Sequence, residues 1–181
     1  MSMTICWWFI ALLALLRGIS AQTAGTIHLF ASNGCTGSHM SCGNIPANGC
    51  CTTGGDVFAS AFLVSFQQQA FVDIHAQTEC QGVSRQANSL ACFQPSFAFS
   101  AAHWSTSSSA AARRDAAETN STEFKDCRRP DSITLIDDDG TEVKIAVPEG
   151  ENTDYEHAFV KGDYTKLMKL AKINRNLRFS R

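Results

Sequence analysis

The sequence predicts a mainly β, disulfide-bonded fold followed by a small α+β C-terminal region, and three observations carry that prediction. Six cysteines (Cys35, Cys42, Cys50, Cys51, Cys80 and Cys92) crowd into one stretch of the chain. The surrounding segment from Gln22 to Ser100 is poor in charge, with one base, Arg85, and three acids, Asp56, Asp73 and Glu79. Within it Phe58, Phe62, Val64 and Phe66 recur at period two, the spacing of a strand. Asn33-Gly34, Asn48-Gly49 and Gly54-Gly55 supply chain reversals between such strands.

The cysteines take their meaning from the start of the chain. Ile5 to Leu16 is an unbroken apolar run, too short for a bilayer core that needs roughly 20 helical residues. It has the length of a signal-peptide core, and Ile19-Ser20-Ala21 provides a small residue for cleavage after Ala21. The segment before the run lacks Lys and Arg, and Arg17 follows it, so the pattern is an imperfect one. No later segment reaches membrane-spanning length, so a secreted, extracellular product with no transmembrane segment is expected. In an oxidising compartment the six clustered cysteines form disulfides, with 15 pairings open to them. Cys127 stands apart, as a thiol, an intermolecular link, or a sign that one of the six pairs elsewhere. No Cys-x-x-Cys occurs and the histidines are scattered, so neither a metal site nor a cofactor is expected.

Composition then divides the chain into residues 1–21, a signal; 22–100, a cysteine-rich β domain; 101–124, a Ser/Ala-rich linker; and 125–181, a hairpin-helix region with a basic tail. Few large apolar residues follow Trp104 in the linker, so little burial offsets its ordering entropy. It holds an N-glycosylation sequon at Asn120-Ser121-Thr122 and a dibasic pair, Arg113-Arg114, resembling kexin-type processing sites. Arg128-Arg129 is also dibasic, but Pro130 follows it.

Beyond the linker, Ser132–Ile136 and Glu142–Val147 flank Asp137-Asp138-Asp139-Gly140, which predicts a hairpin. The three successive acids lack the alternate spacing of an EF-hand and read as turn residues. Thr153 and Glu156 have capping-box spacing and predict a helix to Val160. Asp163 predicts a second cap, with a helix through Ile173 placing Leu167, Leu170 and Ala171 on one face. Acids dominate residues 131–156 and bases dominate 161–181, within a formal net charge of −2 for the chain. Bases at every third residue wind around a helix instead of forming a stripe, so attraction to the acidic hairpin is expected, and nucleic-acid binding is not.

An internal repeat refines the fold prediction. Ile27-His-Leu-Phe30-Ala-Ser-Asn-Gly-Cys35-Thr-Gly37 aligns without a gap over Val72-Asp-Ile-His75-Ala-Gln-Thr-Glu-Cys80-Gln-Gly82. Each has an alternating strand, a cysteine, and a glycine two residues later where a hairpin needs positive φ. Ser60 and Ser96 follow, each ahead of apolar residues. The pattern resembles the βγ-crystallin superfamily, whose Greek-key motifs carry aromatic-x6-Gly and then a serine that ties down the folded hairpin. It is most similar to disulfide-bonded secreted microbial and fungal members, some of them killer-toxin-like. The resemblance implies a Greek-key β-sandwich over residues 22–100. His75 stands where that family has an aromatic residue. Of the family's calcium signature only Asp56 and Ser60 remain in the first motif and Ser96 in the second, so weak calcium binding or none is expected.

No Gly-x-Ser-x-Gly elbow, His-Glu-x-x-His or phosphate-binding loop is present. Asp73 and His75 share a strand face, as an ordinary strand histidine would beside any acid. The expectation is a secreted, non-enzymatic small cysteine-rich protein, effector- or toxin-like, whose partner is an extracellular cell-surface or wall component. A structural wall-associated protein and a secreted hydrolase without a recognisable motif are the alternatives. A single Cys-Cys doublet, Cys50-Cys51, argues against a hydrophobin-like protein.

Overall fold

The computed structural model describes residues 24–106 except 68 and 83, and 127–179 except 138, with side chains to 172. The expected signal cleavage after Ala21, the dibasic pair Arg113-Arg114 and the sequon at Asn120 lie outside these residues. The strands are β1 (Ala24–Phe30), β2 (His39–Pro46), β3 (Cys50–Thr52), β4 (Ser60–Ser65) and β5 (Ala70–His75), then β6 (Ser84–Asn88), β7 (Ala101–Thr106), β8 (Cys127–Arg128), β9 (Ser132–Ile136) and β10 (Glu142–Ala146). Helices α1 (Asn152–Val160) and α2 (Tyr164–Phe179) follow. One sheet runs β10-β9-β2-β1-β4 and the other β6-β5-β7-β3-β8.

The two halves of the repeat share a plan. Strand β1 lies between β2 and β4, as β5 lies between β6 and β7. Strand β3 follows β2 in the chain but crosses to the second sheet, where Cys51 pairs with Ala102. In the second half Phe93 makes the reciprocal crossing and bridges to Ala61 of β4. Each half therefore lends one strand-forming segment to the other's sheet. Buried side chains of the two inner faces meet between the sheets, with Ile27, Leu29, Met40 and Leu63 from one and Cys51, Val72, Ile74 and Trp104 from the other. The Trp104 indole N–H donates to the Ile45 carbonyl at 2.9 Å, so the largest core side chain is also satisfied. Gly25 lies against that ring: a Cβ there would stand 3.0 Å from it.

The cysteines pair as Cys35–Cys92, Cys42–Cys51 and Cys50–Cys80. Two of these bonds are equivalent under the repeat. Cys35 and Cys80 are the aligned hairpin cysteines, while Cys50 and Cys92 immediately precede the crossing residues Cys51 and Phe93. Each hairpin is thus pinned to the segment that the other half donates. The third bond, Cys42–Cys51, links the two sheets through the core.

The linker expected from Ala101 does not hold for its first six residues. Residues 101–106 are instead β7, a central strand whose Ala102 and Trp104 are fully buried. Its small residues leave room for packing on both faces, a pattern that resembles linker composition when read one residue at a time. The C-terminal region also does not stand alone. The expected hairpin forms, and β9 pairs with β2, extending the first sheet. Tyr155, Phe159 and Leu167 enter the main core, where Phe159 stacks on Phe58.

Asp163 caps α2 as expected, its carboxylate accepting from the Lys166 N–H at 2.9 Å. The capping box of α1 does not form: Glu151 occupies the N-cap and makes no side-chain bond there. Glu156 is fully buried and binds the Arg129 guanidinium with both oxygens, and it accepts from the Gly54 N–H at 2.9 Å. A buried carboxylate held by three donors is a stronger arrangement than a helix cap in water. Among the described residues, the ion pair between the acidic and basic segments is Lys166 with Asp154, 3.7 Å apart, between the helices.

Candidate functional site

The outer face of the second sheet carries a line of polar and sulfur-bearing residues in cross-strand register. Gln86 on β6 faces Asp73 on β5, Asp73 faces His103 on β7, His103 faces Cys50 on β3, and Cys50 faces Cys127 on β8. Residues opposite one another in adjacent strands share a face, so these side chains form one row. His75, next but one to Asp73, stands beside it, and the 3-10 turn Thr78–Cys80 lays Cys80 over the row.

The polar atoms within this group are linked in a chain. The Gln86 amide donates to Asp73 Oδ2 at 3.2 Å, and His103 Nε2 lies 3.1 Å from the same oxygen. The other nitrogen of His103, Nδ1, lies 2.9 Å from His75 Nε2. With the carboxylate accepting from His103 Nε2–H, His103 Nδ1 accepts from His75 Nε2–H. That tautomer assignment follows from the carboxylate, as in any carboxylate-oriented imidazole. Both imidazoles are buried, at 7 % and 4 % exposure. Nitrogens of the two rings and the Cys80 sulfur all lie within 4.8 Å of one another. Glu79 and Cys80, which deliver that sulfur, have φ of 57° and 55°, a left-handed backbone that costs non-glycine residues about 1–3 kcal/mol each. The Glu79 N–H donates to Thr52 Oγ1 at 2.9 Å and helps hold the turn.

The first sheet presents a different surface. The large residues of the period-two stretch face outward on β4: Phe62 is half-buried, Val64 is exposed, and Phe66 just beyond the strand is 98 % exposed. The core side of that strand is filled by Ala61 and Leu63. Phe62 stacks on His28, which meets His39 edge-on at 4.7 Å and lies 2.8 Å from Ser41 Oγ through Nδ1. Burial, with smaller contributions from His39 and Lys144, lowers the His28 pKa to about 4.

The two calcium candidates are engaged elsewhere. Ser60 donates to the Ser32 carbonyl at 2.7 Å and accepts from the Cys35 N–H at 3.0 Å, so its hydroxyl holds the hairpin that ends at Gly37, where φ is +83°. Asp56 faces His157 at 3.8 Å. Ser96 is exposed and is not the counterpart of Ser60. Register assigns that place to Ala101, opposite His75 as Ser60 is opposite Phe30, and alanine has no hydroxyl to give. In the acidic turn, hydrogen bonds from Asp137 and Thr141 lower the Asp139 pKa to about 2.

Residues 26–131 match the model of the ARB_05566_N family, described as an N-terminal domain. The match covers more than half of the chain. The chain belongs to this family. No curated protein and no solved structure matches it. The family span runs from Thr26 within β1 through β8, and takes in the whole row from Gln86 to Cys127; β9, β10 and both helices follow it.

Of this site, Asp73, His75, Cys50, Cys80 and Cys127 were visible as separate features of the sequence. His103 was not, because residues from Ala101 onward look like linker. The one signal for it is local: Ala102 and Trp104 alternate with Ala101, His103 and Ser105 at strand period.

Proposed function

We propose that this chain is an exported βγ-crystallin-type Greek-key domain that acts outside the cell as a non-enzymatic, effector- or toxin-like binding module. The observation that carries the binding role is the outward row Phe62, Val64 and Phe66 on the first sheet, bordered by His28 and His39. Aromatic side chains left in water on a rigid sheet are suited to a cell-surface or wall component, since they contribute contact area at little entropic cost. The Greek-key reading is supported by the reciprocal crossing of β3 and Phe93 and by the Ser60 tie across the first hairpin. Three disulfides suit an oxidising compartment.

The test uses the secreted full chain and a double variant, Val64→Thr with Phe66→Ser. Retention on intact microbial cells and on isolated wall polysaccharide is measured for each. Wild-type retention that falls at least tenfold in the variant, with an unchanged urea midpoint, supports the reading. Equal retention, or turnover on a polysaccharide or peptide panel, overturns it.

A further inference from the structure

We propose that the solvent side of α2 docks on anionic lipid membranes, with Tyr164 and Met168 entering the interface and Lys169 and Lys172 holding lipid phosphates.

The helix carries more apolar side chains than the core uses. Leu167 is fully buried in the main core, and Leu170 and Ala171 pack against that core. Tyr164 and Met168 are left outside it, each 47 % exposed. Residues four apart share one face of a helix, so these two side chains make a single apolar strip. Exposed Thr165, Lys169 and Lys172 stand beside the strip and, with Ala171, line one surface groove with it.

Charge around the strip selects the partner. From Tyr164 to Arg181 the chain has six bases and no acid. Lys166 pairs with Asp154, whereas Lys169 and Lys172 form no ion pair among the described residues. Cations beside apolar side chains suit a surface that offers both phosphates and hydrocarbon. A lysine lays its methylene stem along apolar surface and keeps its ammonium at the level of the headgroups, where tyrosine also settles. A soluble acidic polymer would use the lysines and leave Tyr164 and Met168 in water. Among the described residues no helix is long and apolar enough to cross a membrane, so α2 lies along the bilayer surface in this arrangement. Each lysine brought to an anionic bilayer strengthens binding about fivefold, an effect that salt screens.

The experiment measures co-sedimentation of the full secreted chain with two kinds of vesicle, one of phosphatidylcholine and one of phosphatidylcholine with an equal part of phosphatidylglycerol. The wild type is expected to bind the anionic vesicles at least tenfold more tightly, and more weakly as salt is raised. Lys169→Gln with Lys172→Gln is expected to lose at least tenfold on those vesicles. Tyr164→Ser with Met168→Ser is expected to lose at least fivefold there, with retention on soluble polygalacturonate unchanged. Equal wild-type binding to the two vesicles, or unchanged binding in either double variant, overturns the proposal. Tighter binding to polygalacturonate than to anionic vesicles in the same buffer also overturns it, and assigns the lysines to acidic polymers. All four side chains are exposed, and an unchanged urea midpoint checks that the variants fold. The wild-type comparison of the two vesicles decides the matter even if a variant is unstable. None of these residues belongs to the β4 row, so this surface and the wall-binding reading stand or fall separately.

Discussion

His28 shows how a single side chain ties the outer face of the first sheet to pH. Its ring is pressed between Phe62 and His39, and burial is the leading cause of its low pKa of about 4 against an ordinary 6.5. A histidine whose folded value lies below its unfolded one binds fewer protons in the native state. Stability is therefore complete above pH 6.5 and falls as pH drops from 6.5 towards 4. Allowing for solvent screening of a ring that is only partly buried, the loss amounts to about 1–2 kcal/mol. Urea denaturation at pH 7.5 and pH 4 should show that extra loss in the wild type and not in His28→Gln. An imidazole titration followed by NMR should have its midpoint near the low value. Residue identity alone did not disclose this: a histidine in an alternating strand is ordinary until Phe62 and His39 are placed beside it by register.

At the scale of elements, the disulfides follow the internal repeat. The aligned cysteines Cys35 and Cys80 each reach the segment that crosses from the other half. The repeat was legible as two matching strings, but pairing was not, because 15 arrangements satisfy the same spacing. Strand exchange between the sheets is what selects among them. Cys35–Cys92 closes a separation of 57 residues and Cys42–Cys51 one of 9. Loop-closure entropy then assigns about 4 kcal/mol to the first and about 3 kcal/mol to the second. Replacing Cys35 and Cys92 together by alanine should lower unfolding free energy by about 4 kcal/mol in urea titrations. A loss below about 1 kcal/mol would show that strain or a structured unfolded state cancels the entropic gain. The hairpin β9–β10 and helix α2 were readable from Asp-Gly and from an Asp cap, since both signals act over a few residues. The box at Thr153 and Glu156 was misleading for the opposite reason: a distant arginine offers Glu156 better partners than its own helix does.

For the whole molecule, the decisive fact is that one core serves both the family-matched span and the segment after it. Ile133, Tyr155, Phe159 and Leu167 pack among residues of the sandwich, and β9 covers the edge of β2. Ending the chain at Asp131 would uncover that edge and leave Arg129 without Glu156. Such a truncated chain should bind a hydrophobic dye and lose a cooperative urea transition, whereas the full chain should unfold in one step. Cooperative unfolding of the truncated chain, with no dye binding, would show that the two parts fold independently. Charge composition pointed towards that independence, because it records which residues are soluble and not which surfaces they cover.

The sequence by itself determined the local and periodic features: strand alternation, the turns, the Asp-Gly hairpin, the capped helix and a clustered set of cysteines. These depend on neighbours within a few residues, where propensity and spacing act directly. Only the tertiary structure decided which cysteines meet, that residues 101–106 are core, and that Asp73, His103, Cys50 and Cys127 form one row. Those outcomes rest on register between strands far apart in the chain. A shift of one residue would turn every one of those side chains to the opposite face.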